Sequence, residues 1–451
     1  MRPDPTPTAA DNVHAFPGEG DTELHTLPNG VRVVVLQLPH ARTAAVSAYL
    51  RSGSAHESPA LSGIGHVVEH MVFKGTATRD AARINLDAES LGAEVNAHTD
   101  KDHSAFHLHG LPADAGRFVA QLADLLLEPT FPADELERER QVLLQEFSED
   151  EDDPMAEAYR LFDRAAFGLH PLAQPAIGRR ANVERFTRAD LVGWMQRQIS
   201  GHNLVLAAAG PLDPGRFVRQ VEAAFGALAA GTPHRVTPPA WRGGLRSKRL
   251  DSGSQAHLVM GYPCAPRGDD DALGELAAVL FGEGMSAPLM AELRERRGLV
   301  YYAGCAADVL EPSGQWVVEA SFAPAQIDQV LAAVAQLLRS QADHVATDAL
   351  QRARRQLVVK LLRDQDRATR RLESAALDVL ALNRVRSTAE RQARLDAIDA
   401  GALRQAFAQM LDTVPAVALA GSLPRGVGER ARTALAALPT PLPRPRKPAA
   451  G

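Results

Sequence analysis

A chain that repeats itself at half its length folds as two copies of one architecture, and this sequence of 451 residues does so in outline. NLVLAAAGPLDPG at 203–215 returns as PAVALAGSLPRG at 415–426, and RQVLLQEF from Arg140 is echoed by RQLVVKLL from Arg355. Between the copies lies TPHRVTPPAWRGG, whose proline and glycine density is that of a connection between domains. The expected organisation is a domain at 20–230, a linker at 231–244 and a similar domain at 245–435. A leader at 1–19 and a proline-rich tail at 436–451 are expected to be disordered.

Each copy mixes strands with separate helices. TELHTLPNGVRVVVLQLP reads as two strands about a turn at Pro28-Asn29-Gly30. The stretch from Ala44 to Arg51 alternates small or apolar with polar residues, as a half-buried strand does. Helical patterns follow at about 61–74, 80–91, 114–128 and 132–149, the last opening at Pro132 and stopped by the acidic run Glu149 to Asp153 before Pro154. The fold class expected is α+β, in two homologous domains.

Composition narrows the function. The 49 basic and 55 acidic side chains leave a formal charge of -6, with no basic block interleaved with aromatics, so no nucleic-acid partner is expected. The two cysteines, Cys264 and Cys305, are not spaced C-x-x-C and predict neither a disulfide framework nor a cysteine metal site. No apolar run reaches the roughly 18 residues that a membrane-crossing helix needs. The first twenty residues carry no basic and then apolar signal pattern, so a cytoplasmic protein is expected, or a periplasmic one if a signal has been removed.

The chemistry sits in GIGHVVEHMVFKGT at 63–76, where His66, Glu69 and His70 form H-x-x-E-H. On a helix, positions i and i+4 share a face, so His66 and His70 can offer two imidazole nitrogens to one metal with Glu69 beside them. A catalytic zinc needs a third protein ligand and an open position, and the helix ELERERQVLLQEF offers carboxylates. Glu139 and Glu146, seven residues apart, fall on one helix face. Spacing alone does not choose Glu146 over Glu135, Glu137 or Glu149. HSAFHLH at 103–109 puts His103, His107 and His109 on one strand face; alternating polar residues of this kind more often mark the wet face of a sheet than a second metal.

GSAHE at 53–57, the H-x-x-E-H segment, NAHT at 96–99 and the helix to Glu146 together resemble the inverted-zincin peptidases of the pitrilysin (insulinase, M16) family. The likeness is greatest to the short-subunit group that includes mitochondrial processing peptidase and its bacterial relatives. It implies one zinc per chain held by His66, His70 and Glu146, with Glu139 supporting the site from behind. It implies Glu69 as the general base that takes a proton from a zinc-bound water. It further implies that substrate backbone pairs with an edge strand following the Asn96-Ala97 motif; Phe106 stands nearby where the family commonly has Tyr.

In the second domain GEGMSAPLMAELRERRGLVYY resembles the family segment whose Arg and Tyr, seven residues apart, contact the substrate and the tetrahedral intermediate; Arg294 and Tyr301 have that spacing. Ala287 and Pro288 depart from the usual Ser-Arg. The internal alignment puts Glu275, Ala278 and Val279 at the H-x-x-E-H positions and Arg354 and Leu361 at those of Glu139 and Glu146, so the second domain is expected to be metal-free. The resemblance implies half of a clamshell that encloses peptides or unfolded segments on dimerising, as a homodimer or with a related subunit. Two other roles stand beside a general endopeptidase: a dedicated processing peptidase for a precursor peptide, and an inert structural or peptide-binding subunit.

Overall fold

A computed structural model describes residues 14–16, 22–251, 253–268, 270–436 and 438–440, so most of the leader and the end of the tail lie outside the described residues. The chain divides into two compact units, 1–147 with 174–236 and 361–390, and 148–173 with 237–360 and 391–451. In the first unit the strands are β1 (His14–Phe16), β2 (Thr22–Thr26), β3 (Arg32–Gln37), β4 (Ala44–Leu50), β5 (Glu94–Thr99), β6 (Ser104–Gly110) and β7 (Leu204–Gly210). In the second they are β8 (Gly244–Arg249), β9 (Ala256–Cys264), β10 (Val300–Val309), β11 (Gly314–Phe322) and β12 (Ala416–Gly421).

The sheets are ordered β1-β2-β3-β7-β4-β6-β5 and β10-β11-β9-β12-β8. Five strands therefore repeat, β3-β7-β4-β6-β5 matching β8-β12-β9-β11-β10, and in both sheets the one parallel pair is the same, β3 with β7 and β8 with β12. The sequence echo at 203–215 and 415–426 is the pair β7 and β12, both fully buried, and strands buried on both faces read as near-continuous apolar runs.

β4 departs from the half-buried strand its alternation predicts: every residue of Ala44–Leu50 is buried. The sheet has helices on both faces. On one, Val33, Val46 and Leu206 pack against Ile64, Phe118 and Leu122. On the other, Val34, Tyr49 and Ala207 pack against Leu372, Ala376 and Val379.

Six helices matter below: α1 (Ile64–Met71), α2 (Ala133–Asp152), α3 (Pro154–Phe167), α4 (Asp271–Gly282), α5 (Thr347–Gln365) and α6 (Ala368–Leu382). α6 covers the second face of the first sheet, against β3, β4 and β7. α3 does the same for the second sheet, against β8, β9 and β12. Each sheet is thus backed by a helix encoded in the other half of the sequence, and for that reason the two units are discontinuous where the repeat alone predicts two contiguous halves. The residues at 231–244 are mostly irregular, but Trp241 is held, its indole N–H donating to Val414 O and its ring packing edge-on to Phe167.

Candidate active site

α1 is short, so its ends must be fixed from outside. Glu57, 2% exposed, accepts from the backbone N–H of Gly63 at 2.7 Å and of Gly65 at 2.8 Å, closing donors that the first turn leaves open. Burial pushes its carboxyl up to about 8 against the opposing pull of those two amides. Gly63 caps the helix at φ 101°, and a Cβ there would lie 2.9 Å from Ile177 O, so glycine is required on both counts. Ile64, Val67, Val68 and Met71 turn into the core, which leaves His66, Glu69 and His70 half-buried on the other face.

α2 brings the carboxylates. Leu136, Leu143 and Phe147 anchor it, and Glu139 is buried along the same stripe. Glu139 Oε1 lies 2.9 Å from His70 Nδ1, and its other oxygen pairs with Lys74 Nζ at 2.7 Å. The His70 hydrogen bond, with Lys74 behind it, holds the Glu139 carboxyl below the usual carboxylate range. A carboxylate on Nδ1 fixes the ring and leaves Nε2 for a metal. Seven residues on, Glu146 Oε2 stands 3.7 Å from His66 Nε2 and 3.8 Å from His70 Nε2.

His66, His70 and Glu146 are the one group among the described residues whose ligand atoms gather closely enough for a metal, all within 4.8 Å of one another. Tetrahedral zinc with ligands at about 2.0–2.2 Å sets its donors roughly 3.3–3.6 Å apart, which this set nearly meets. Of the other glutamates that spacing left open, Glu135 pairs with Arg138 and Glu137 with Arg140. Burial, with the neighbouring His70, takes His66 down to about 4, so it is a neutral donor at pH 7. His70 is raised: burial works the other way, but the Glu139 hydrogen bond and the charges of Glu146 and Glu139 outweigh it. Burial raises Glu69, opposed by a hydrogen bond with Thr99. Its Oε2 is buried with no protein partner, as is His66 Nδ1. The donor set therefore fits a zinc ion, with an unsatisfied carboxylate oxygen beside it.

Asn96 and Ala97 lie on β5, which is the edge of the sheet and pairs only with β6. The motif is thus on the edge strand itself; the strand that follows it, β6, is interior, between β4 and β5. Ala97 N–H is met by Asn96 Oδ1 at 2.8 Å. Phe106 is buried in the core behind this strand.

His98, His103 and His107 join in a chain: Asp102 Oδ1 to His103 Nδ1 2.7 Å, His103 Nε2 to His98 Nε2 3.2 Å, His98 Nδ1 to His107 Nε2 3.2 Å, and His107 Nδ1 to Ser47 Oγ 2.8 Å. One set of neutral tautomers satisfies every link. His109 stands apart on Thr43. Each ring nitrogen of His98 serves a different neighbour, so no three of these rings converge on a point.

In the second unit Arg294 sits on a π-helical turn, Ala291–Arg296, where Arg297 N–H reaches back to Glu292 O at 3.2 Å. Tyr301 falls at the register shift between β10 and β11 and is 76% exposed. π-turns and β-bulges both redirect side chains and concentrate at functional sites. The residues aligned with H-x-x-E-H fall on α4, where Ala278 and Val279 are core residues, and Arg354 on α5 donates to Leu395 O and Ile398 O. Sequence reasoning did not assign roles to Glu57, Lys74 or Thr99. Glu57 and Lys74 lie within the matched motifs, but what they bind is set by loop geometry.

Residues 32–180 match the family model described as Insulinase (Peptidase family M16), and 185–357 match that of the Peptidase M16 inactive domain. An uncharacterised zinc protease of Streptomyces coelicolor is 33% identical over 74% of this chain and 74% of its own length. Another from Mycobacterium tuberculosis (strain ATCC 25618 / H37Rv) is 35% identical over 72% of this chain and 75% of its own. A protease from Helicobacter pylori shares the fold, with TM-score 0.81, 20% identity, and coverage of 88% of this chain and 98% of that one.

Proposed function

The chain belongs to the insulinase (M16) peptidase family, and from that premise we propose that it is a zinc-dependent endopeptidase acting on peptides or unfolded protein segments. The observation that carries the reading is the convergence of His66, His70 and Glu146, with Glu69 on the same half-buried face of α1 as the two histidines. A zinc ion bound by these three residues would supply Lewis acidity toward a scissile carbonyl and make water more acidic. Glu69 Oε2 takes the proton of the attacking water and returns it to the leaving amine. Glu139 holds His70 in the tautomer that presents Nε2.

The free edge of β5 binds the peptide as an added strand, and Asn96 Oδ1 swings aside from Ala97 N–H to let it pair. Arg294 and Tyr301 contact the carbonyl and the developing oxyanion, in the opposite copy of a homodimer. One zinc serves each chain, since the second unit offers no matching ligands at the aligned positions.

Cleavage of quenched-fluorescent peptides by the wild type and by Glu69→Gln, with metal content measured for both, tests the reading. Turnover in the wild type alone, with about one zinc per chain in each protein, is the expected result. Absence of metal from both would overturn the site.

A further inference from the structure

The second unit has a polar site of its own. Glu319, on β11, faces a cavity of about 440 Å³ whose walls include Met285, Met290, Val317 and Arg294. Tyr302 donates its hydroxyl to Glu319 Oε1 at 2.7 Å, and Tyr159 donates to Oε2 at 2.8 Å. Each carboxylate oxygen carries one neutral donor and keeps a second lone-pair direction open. Among the described residues no Lys, Arg or His pairs with Glu319; Arg294, which lines the same cavity, reaches only Glu295, at 4.0 Å.

The phenols cannot neutralise this charge. The hydrogen bond to Glu319 is the main cause that takes Tyr302 up to about 12, and burial followed by the Glu319 charge raises Tyr159 further still. Both remain protonated donors, and Asp308 adds negative potential at Tyr159. A carboxylate set among thioethers and aliphatic groups, oriented by two neutral donors and paired with no cation among the described residues, is complementary to a positive charge brought from outside.

We propose that this cavity is a subsite for a cationic side chain of the peptide, with Glu319 pairing its guanidinium or ammonium group and Met285, Met290 and Val317 packing along its methylenes. Arginine is favoured over lysine, because its planar fork meets both open lone-pair directions at once. The proposal rests on the peptidase reading and deepens it: Arg294, expected at the substrate backbone, lines the cavity, so the cation selected lies near the cleaved bond.

Matched fluorogenic peptides carrying arginine or citrulline at one position, scanned along the peptide, test it with the wild type, Glu319→Gln and Glu319→Lys. Citrulline keeps the shape and removes the charge. The wild type should favour arginine at one position by about tenfold or more in kcat/KM. That ratio should collapse toward one in Glu319→Gln, and Glu319→Lys should favour glutamate at the same position, a gain that misfolding cannot mimic. No arginine preference in the wild type, or the same preference in all three proteins, overturns the subsite. If no peptide is cut, the peptidase reading fails instead, and calorimetric binding of the arginine and citrulline peptides decides. Arginine-selective binding lost in Glu319→Gln keeps the subsite; equal or absent binding removes it.

Discussion

The two units share five strands in one order and one parallel pair, yet they have been filled in opposite ways. In the first, the helix after β4 buries four apolar residues and turns two histidines and a glutamate outward. In the second, the helix after β9 buries Leu276 through Gly282 without interruption, and the polar side chains proposed for its chemistry, Arg294, Tyr301 and Tyr302, lie at the approach and edge of β10. The same scaffold thus offers two positions for chemistry, a helix face and a sheet edge. Fold does not determine which is used. In the first unit the edge strand β5 keeps its backbone free beside the helix; in the second, the corresponding edge β10 carries the side chains.

The sharpest way to break this division is to disable each unit separately. Glu69→Gln should lower kcat by roughly 10²–10⁴-fold with zinc content unchanged. Arg294→Ala and Tyr301→Phe should also lower kcat, by roughly 10²–10³-fold if each supplies one oxyanion contact, again with zinc retained. His70→Ala should lose the metal as well. Metal analysis beside steady-state kinetics separates the classes. A loss of zinc in Arg294→Ala would mean that the second unit helps to hold the metal and that the division is false.

Acid should separate the units next. Burial, with neighbouring histidines behind it, takes His56 and His107 down to about 4, and His98 and His234 are lowered also, mainly by burial; all four belong to the first unit. In the second unit only His257 is lowered among the described residues. A histidine whose folded pKa is depressed contributes stability that is present above its unfolded pKa near 6.5 and is lost as pH falls toward its folded value. Metal-free protein should therefore lose amide-exchange protection in the first unit between about pH 6.5 and 4, by on the order of a few kcal/mol less what Glu57 returns, since a carboxyl raised to about 8 in the fold gains stability as pH falls, while the second unit holds. Around His98 the charges of Glu373 and Arg370 on α6 oppose each other, so the acid response rests on burial and the histidine chain. Equal loss in both units would show that these rings are not the cause.

These contrasts mark what the sequence could and could not tell. The doubled fold was legible because β7 and β12 are buried on both faces and so keep recognisable apolar runs. The exchange of α3 and α6 was not, because an amphipathic helix states which face it buries and not which sheet it buries against. Two of the three proposed zinc ligands were readable from i, i+4 spacing. The third was not: Glu135, Glu137 and Glu146 differ only in which cation or ring meets them in space, and the resemblance, not the periodicity, chose among them. β4 misled for a related reason, since its serine and tyrosine look like a wet face but lie under α6.

Glu57 sharpens the comparison on the side of the first unit. It replaces an ordinary helix cap by a buried carboxyl group seven residues before the helix, closing two amides at once. Glu57→Ala should cost about 1–3 kcal/mol of unfolding free energy and weaken zinc binding, because a frayed first turn loosens His66. Calorimetry with and without zinc reads both effects. A loss of stability with unchanged metal affinity would mean that His66 is held by Val67 and Val68 packing alone.

The smallest expected effect tests the repeat itself. After β7 the chain turns through Leu212 and Asp213 into the helix Pro214–Phe225, with Asp213 accepting from Arg216 N–H at 2.6 Å. After β12 the corresponding turn enters Val427–Leu435 with Gly426 as cap, at φ 72° and with no side-chain hydrogen bond. Asp213→Ala should cost about 1 kcal/mol, the usual worth of a side-chain cap. Gly426→Asn should change little or stabilise slightly, because asparagine tolerates a left-handed φ and nothing lies within 4 Å of the added Cβ. Chemical denaturation of the two variants reads the difference. If both changes were silent, the two turns would be equivalent despite their sequences, and the divergence of the units would be confined to their sites.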